Sequence, residues 1–288
     1  MVPDVNIFIL ISGYFAIKWK LKKLLGLIFQ VYFWTFVVYF ALLISGCISF
    51  DMKGLVLHLN ALLFEYWFIP SYLLLYLVSP ILNKFVESTS RTELRNFIIV
   101  YYVVQTYWAL FAQAPFGWGY DMTSFIGLYL IGRYIRNYKI GINYKTKHLL
   151  CLLMCLYLVN TLLSMGEVFV HGSTIRVSQY NSPLVIMEAV IIFLLFERIN
   201  IESKFINWIS SSVLSIYLLH MQLDMKPIYM DYGQSLYQLN IIEHLFKLFV
   251  LIGGLCTIAV VFDKLRIFIF DKLYYFYDKL QTRFSICR

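Results

Sequence analysis

Residues 24–46 read LLGLIFQVYFWTFVVYFALLISG, an uninterrupted apolar stretch that contains no charged side chain. A helix needs about 20 apolar residues to cross the hydrocarbon core of a bilayer. A helix also bonds its own backbone N–H and C=O groups, which lipid cannot do. The stretch therefore predicts a transmembrane helix.

The composition of the whole chain extends this prediction. Of 288 residues, 61% are hydrophobic and 14% are charged, whereas soluble domains carry about 25% charged residues. A soluble protein of this size has no means of covering so much apolar surface. The composition excludes an independent soluble domain and predicts a lipid bilayer as the main partner.

Further apolar runs predict an all-α, polytopic transmembrane bundle of about nine spans. The first run is short and Gly127 and Gly132 interrupt the fifth, while the run at 205–222 is more polar than the others. The predicted spans are 5–17, 24–46, 64–82, 97–113, 122–136, 148–165, 182–199, 205–222 and 241–262.

The basic residues predict the orientation of these spans. The net charge is +8, but Lys and Arg occur in short clusters between apolar runs, which argues against a nucleic-acid surface. If the first span runs from outside to inside, most of the 24 basic residues lie on the inner side. We therefore expect a multi-pass protein of the cell (inner) membrane.

The last segment has a different pattern. From Arg266 to Arg288, basic residues alternate with Phe, Tyr and Ile, which favours an amphipathic helix on the inner surface. We expect a membrane-embedded domain at 1–265 and a basic aromatic cytoplasmic tail at 266–288.

The five cysteines show no metal-ligand or CxxC spacing, so we expect them to be ordinary apolar residues and predict no metal site. They are Cys47, Cys151, Cys155, Cys256 and Cys287.

Four segments, in order along the chain, resemble the acyltransferase type 3 family of bacterial membrane enzymes. The segments are NIFILISGYF at 6–15, EYWFIP at 65–70 with LLLY at 73–76 and PILN at 80–83, YNSPLVI at 180–186, and SSSVLSIYLLH at 210–220. The resemblance implies transfer of an acyl group, usually acetyl, from acyl-CoA to a sugar hydroxyl. The acceptor would be a cell-surface polysaccharide, a related glycan or a lipid-linked sugar.

The resemblance also implies a first helix that carries an Arg and, about one helical span later, a catalytic His. No residue of this chain matches either of them. We expect a truncated gene model; loss of activity and a helix supplied by a partner are the alternatives.

Acyl transfer needs a base for the hydroxyl proton and cations for the phosphates of the donor. For acetyl-CoA binding we select basic residues next to the predicted inner ends of spans, although these residues could also serve only to set topology. They are Lys18, Lys20, Lys22, Lys23, Arg133 and Arg136.

Two residues are candidates for catalysis. His220 ends its predicted span, where an imidazole could move a proton or orient a sugar, or could simply be an interfacial hydrogen-bonding residue. Glu188 lies mid-span, where a charged side chain costs about 2.5–3.5 kcal/mol. Glu188 therefore needs a polar cavity, a proton or a partner.

Other residues could line a site or could serve only in helix packing or at the membrane boundary. Ser12 and Gly13 allow a close approach of backbone or ligand, and Glu65 and Trp67 lie at a predicted membrane boundary. Arg176 and Tyr180 lie at the predicted outer mouth, where a glycan acceptor would bind.

Membrane proteins with two other functions would have the same amino-acid composition. A glycan transporter or polymerase-type protein is one alternative, although we find none of the internal repeats typical of transporters. An inactive acyltransferase-like protein is the other.

Overall fold

A computed structural model describes residues 3–107, 118–172, 177 and 179–286 of the chain. The described residues form α-helices and one short 3-10 helix at Leu236–Gln238. The α-helices are α1 (Asp4–Tyr14), α2 (Leu21–Ile44), α3 (Met52–Leu59), α4 (Ala61–Phe64), α5 (Phe68–Ser88), α6 (Arg91–Tyr107), α7 (Met122–Tyr138), α8 (Thr146–His171), α9 (Pro183–Phe196), α10 (Lys204–Ser210), α11 (Val213–Met221), α12 (Met225–Ser235) and α13 (Ile241–Ile286).

The all-α prediction is confirmed, and the protein is a membrane protein with several candidate spans. Within the described residues, four helices are long and apolar enough to cross a bilayer: α2, α5, α8 and the Ile241–Lys279 part of α13. Two apolar helices, α1 and α9, are shorter. The count of nine spans is not shown and stays a prediction.

The predicted span 205–222 is two helices rather than one. Helix α10 ends at Ser210 and α11 begins at Val213. The hydroxyls of Ser210 and Ser211 donate to the carbonyls of Asn207 and Trp208, at 3.1 and 2.9 Å. Such local bonds compete with the helical pattern, so the run of three serines marks the break.

The fold groups the chain into two compact units. Unit 1 consists of Met1–Trp19 and Pro70–Ile201, and unit 2 consists of Lys20–Ile69 and Glu202–Arg288. The predicted domain boundary at residue 265 falls inside α13, which continues without a break to Ile286.

In unit 1, α1 packs closely against α7 because glycines meet at the crossing. A Cβ atom on Gly13 would overlap the backbone carbonyl of Tyr129, and one on Gly132 would lie 2.8 Å from the backbone nitrogen of Tyr14. The two glycines that interrupt the predicted fifth span do not break α7. Gly127 leaves room for the hydroxyl of Tyr102, 2.7 Å from the position of a Cβ.

In unit 2, a buried polar network joins α2, α11 and α13. The carboxylate of Asp263 accepts hydrogen bonds from Ser215 Oγ at 2.6 Å, Gln30 Nε2 at 3.3 Å and Arg266 Nε at 2.8 Å. Arg266 is 7% exposed. The predicted tail therefore begins with a residue that belongs to the interior of unit 2.

Helix α13 is far longer than a membrane crossing requires. Its 46 residues would extend for about 69 Å at 1.5 Å per residue, against a hydrocarbon core of about 30 Å. Near residue 270 it packs on the start of α2: Lys22 forms a 2.8 Å ion pair with Asp271, and the rings of Phe29 and Phe270 lie 5.5 Å apart.

Candidate functional site

Unit 2 contains a cavity of about 640 Å³, a size typical of small-molecule sites. Helices α11, α12 and α13 contribute the wall, so we call it the α11–α13 cavity. One side is apolar and follows a single face of α13, at Leu248, Leu251, Ile252 and Leu255. The other side carries polar side chains: His220, Tyr229, Gln234, Tyr237 and His244.

The imidazole of His220 is held in one tautomer when it is neutral. Its Nδ1 lies 2.6 Å from the carbonyl oxygen of Ile216, one helical turn earlier. A carbonyl can only accept, so Nδ1 carries the proton and Nε2 holds a lone pair. No described residue forms a hydrogen bond with Nε2, which makes His220 a competent proton acceptor at the cavity wall.

His244, which α13 contributes to the cavity, has the same arrangement. Its Nδ1 donates to the carbonyl of Leu236 at 2.9 Å, and the ring lines the same cavity. A tyrosine hydroxyl is protonated at neutral pH, and burial raises the pKa of Tyr229 further, so its hydroxyl can donate to a ligand. The cavity therefore combines two imidazole acceptors with a phenol donor.

A second polar group in unit 2 surrounds His58, which α3 carries. Nδ1 of His58 lies 3.3 Å from Oε2 of Glu65, and Nε2 lies 2.9 Å from Oδ2 of Asp224, within ion-pair distance although poorly aligned for a hydrogen bond. The His58 and Glu65 side chains are 1% and 0% exposed, and that of Asp224 is 24% exposed. Thr35 Oγ1 adds a 3.3 Å hydrogen bond to Glu65.

The His58 group attaches to the turn between α11 and α12. The backbone N–H of Leu223 donates to Oε1 of Glu65 at 3.2 Å. Gln222, which is fully buried, accepts from the backbone N–H groups of Asp224 and Met225 at 2.9 and 2.8 Å. The turn is thus held by both side-chain and backbone contacts.

Three of the predicted donor-binding residues lie in unit 1. The hydroxyl of Tyr14 accepts from Arg136 at 3.0 Å and donates to Glu197 at 2.5 Å, so the guanidinium of Arg136 already has a partner. Nε of Arg133 is buried and has no hydrogen-bond partner among the described residues. Lys18 is exposed.

The other three predicted donor-binding residues lie at the start of the unit 2 segment. Lys22 pairs with Asp271 and lies 5.2 Å from the centre of the Tyr274 ring. Lys20 and Lys23 are exposed at the N-terminal end of α2. Lys22 is thus occupied by an intramolecular pair.

Ser12 and Gly13 take part in packing within unit 1. The hydroxyl of Ser12 donates to the carbonyl of Phe8 at 3.1 Å and lies 3.5 Å from the hydroxyl of Tyr72. The contact of Gly13 with Tyr129 leaves no space for a side chain. Gly13 therefore allows a close approach of backbone, and the backbone that approaches it belongs to α7.

Glu65 and Trp67 differ in their surroundings. Glu65 belongs to the buried His58 group. Trp67 is half-buried, with its ring edge-on to Phe68 at 6.0 Å.

Glu188 is fully buried in unit 1, on α9. Its Oε1 accepts a 3.0 Å hydrogen bond from Nδ2 of Asn160 on α8, while no residue in the described part of the chain forms a hydrogen bond with its Oε2. A residue in the middle of a predicted span needs a polar cavity, a proton or a partner, and Glu188 has a partner in Asn160.

Arg176 lies outside the described residues, so its predicted acceptor role has no structural description. The backbone carbonyl of Tyr180 accepts from Nδ2 of Asn6 at 2.8 Å, and its ring is edge-on to Tyr120 at 5.3 Å. Burial, with Asp4 nearby, raises the pKa of Tyr180.

Within the part of the chain that the structure describes, no group of three or more His, Cys, Asp or Glu side chains could hold a metal ion. The described cysteines are all free thiols: Cys47, Cys151, Cys155 and Cys256.

Sequence reasoning selected His220 but did not select His58, His244 or Asp224. Asp224 is far from His58 and Glu65 in the chain, and no local motif joins the three residues. One signal was available, since a second ionisable group seven residues before Glu65 in an apolar region requires a partner.

Comparison with known proteins gives one match. The family model described as an acyltransferase domain (acyltransferase type 3) matches residues 3–264. No curated protein and no solved structure matches the chain.

Proposed function

The chain belongs to the acyltransferase type 3 family and is a membrane acyltransferase for groups other than amino-acyl groups; we propose that it acetylates a glycan. The donor is acetyl-CoA, and the acceptor is a hydroxyl of a cell-surface polysaccharide or a related glycan. The observation that carries this proposal is the fixed tautomer of His220 at the wall of a ligand-sized cavity.

His220 is the proposed general base. Its Nε2 takes the proton of the acceptor hydroxyl as the hydroxyl oxygen attacks the carbonyl carbon of the thioester. The carbon–sulfur bond then breaks, and the proton passes from Nε2 to the departing thiolate. The products are the acetyl ester and free CoA, with no net uptake or release of protons.

The other polar side chains of the cavity suit a hydroxylated acceptor. Tyr229 keeps its proton and donates, while His244 accepts through Nε2. Aromatic rings such as that of Tyr237 present flat apolar surfaces to a sugar ring. The α11–α13 cavity is therefore the proposed acceptor site.

Donor binding is assigned first to Arg133 and Lys18. Arg133 has a buried guanidinium nitrogen to which no residue that the structure describes forms a hydrogen bond, and an arginine binds phosphate through two parallel hydrogen bonds. Arg136 and Lys22 are already engaged within the protein, so they come second. Lys20 and Lys23 supply further positive charge.

The proposal also includes the location of the enzyme and its orientation in the membrane. The enzyme is a multi-pass protein of the cell membrane with its Lys- and Arg-rich segments on the cytoplasmic side, where CoA is made. Glu188 is assigned a structural role, because its described hydrogen bond is to Asn160 within the interior of unit 1.

The test uses membranes that contain the full chain, incubated with acetyl-CoA labelled in the acetyl group. His220→Asn keeps an amide N–H near the position of Nδ1–H but removes Nε2. We expect transfer of label to glycan to fall by about 10²–10⁴-fold, the usual contribution of a general base.

His244→Asn is the matched control, since His244 lines the same cavity with the same Nδ1 contact. We expect it to raise the KM for the acceptor while kcat stays within about threefold. Equal transfer by wild type and His220→Asn would refute the assignment of the base. Absence of labelled glycan with wild-type membranes would refute the function.

A further inference from the structure

Helices α11 and α12 both line the α11–α13 cavity and meet at one short turn. Helix α11 contributes Ile216 and His220, and α12 contributes Tyr229 and Gln234. Residues 222–224 are all that joins the two helices. The conformation of this turn therefore sets the angle between two walls of the cavity.

The His58 group holds the turn at two successive residues. Glu65 binds the backbone N–H of Leu223, and Nε2 of His58 contacts the carboxylate of Asp224. His58 also contacts Glu65 through Nδ1. One imidazole thus connects both attachment points.

Both ring nitrogens of His58 face an acidic side chain. Nδ1 faces Glu65 and Nε2 faces Asp224, so the buried imidazole is in contact with both residues that hold the turn. Removing one member leaves a buried polar atom without its partner, which is costly in a low-dielectric interior.

Burial excludes direct catalysis by His58 and Glu65. Their side chains are 1% and 0% exposed, so neither can touch a substrate.

The α3 helix that carries His58 also has a contact that does not involve the His58 group. The carboxylate of Asp51 caps the N-terminus of α3 by accepting hydrogen bonds from the backbone N–H groups of Lys53 and Gly54 at 3.2 and 3.1 Å.

We propose that His58, Glu65 and Asp224 form a positioning lock that fixes the 222–224 turn and thereby aims His220 into the α11–α13 cavity. The kinetic part of this inference rests on the proposed acetyl transfer. The mechanical part rests only on the contacts of unit 2.

The kinetic test compares Glu65→Gln, Asp224→Asn and the double variant. Each single change removes a charge that contacts His58, and we expect kcat to fall about tenfold while the KM for acetyl-CoA stays within about twofold. Because both residues contact the same imidazole and hold the same 222–224 turn, the double variant should lose little more than either single one. Glu202→Gln, an exposed carboxylate of the same unit, is the control and should match wild type.

Multiplicative losses in the double variant, or a kcat equal to that of wild type in both single variants, would overturn the lock. A purely structural defect is recognised by a reduced amount of folded protein with an unchanged kcat per folded molecule.

The second test needs no transferase activity. Cys256 lines the cavity, so its alkylation by a small maleimide reports on the cavity wall in a chain whose other cysteines are serine. We expect His58→Gln to change the alkylation rate about tenfold, in the range that a lost buried hydrogen bond gives. His148→Gln, an exposed histidine of unit 1, should leave the rate unchanged.

The two tests separate the two claims. If wild type transfers no label but His58→Gln alters the labelling of Cys256, the proposed function fails and the lock stands. If wild type transfers label while His58→Gln changes neither kcat nor the labelling of Cys256, the lock fails and the function stands.

Discussion

The contact between Gly13 and Tyr129 permits a test of why a glycine is needed in α1. A Cβ at residue 13 would overlap the carbonyl oxygen and approach the carbonyl carbon and Cα of Tyr129, which are backbone atoms. No side-chain rotation can relieve that overlap. Gly13→Ala must therefore push α1 away from α7.

The magnitude follows from two opposing effects. Overpacking in a rigid interior costs typically about 1–3 kcal/mol, and the backbone clash places this site at the upper end. Replacing a helical glycine by alanine returns about 1 kcal/mol. The free energy of unfolding should fall by about 2 kcal/mol, which corresponds to a decrease in Tm of roughly 4–8 °C.

Gly166→Ala is the matched control. Gly166 also lies within a helix, α8, but a Cβ there would meet no atom within 4 Å. This variant gains only the helix-propensity term of about 1 kcal/mol, so its Tm should rise by roughly 2–4 °C.

The assay is thermal unfolding of both variants in the same detergent, followed by the fraction of monodisperse protein, with acetyl transfer measured on the folded fraction. Opposite signs for the two variants are expected. A Gly13→Ala protein as stable as wild type but inactive would refute the packing explanation, because a ligand rather than Tyr129 would then occupy the space.

Three further predictions use other buried polar groups. Arg266→Met leaves the carboxylate of Asp263 uncompensated and should lower the free energy of unfolding by about 3–5 kcal/mol, whereas adding Asp263→Asn should recover part of this loss in the same thermal assay. Glu188→Gln retains an acceptor for its single hydrogen-bond donor and should keep stability within about 1 kcal/mol and transfer within twofold; inactivity of a stable Glu188→Gln protein would refute its structural role. Arg133→Gln should raise the KM for acetyl-CoA about tenfold, an effect that exposed Arg95→Gln should not reproduce in the same steady-state titration.

The sequence predicted the long helices well because apolar length alone determines them. The predicted spans 24–46 and 148–165 correspond to Leu21–Ile44 and Thr146–His171. Composition could not predict the break at Ser211, since serine is common in membrane helices and the break depends on which carbonyl each hydroxyl binds.

The site was predictable only in part. His220 could be selected because it ends an apolar helix, but its tautomer depends on a bond to Ile216 that only helical geometry reveals. The contact of Glu65 with Leu223, 158 residues away in the chain, depends on long-range folding. The predicted boundary position of Glu65 therefore gave no indication of its contact with this turn.

Helix α11 shows why an apolar protein retains these buried polar groups. It has only nine residues, and a helix this short is not stable without tertiary contacts. Ser215, near its start, binds Asp263, while the turn after its end binds Glu65 and His58. Buried ion pairs contribute little net stability compared with apolar packing. They do fix the orientation of the groups that they join, which apolar contacts do not. Two such networks, one at each end of the helix that carries His220, argue that the position of this histidine is what they secure.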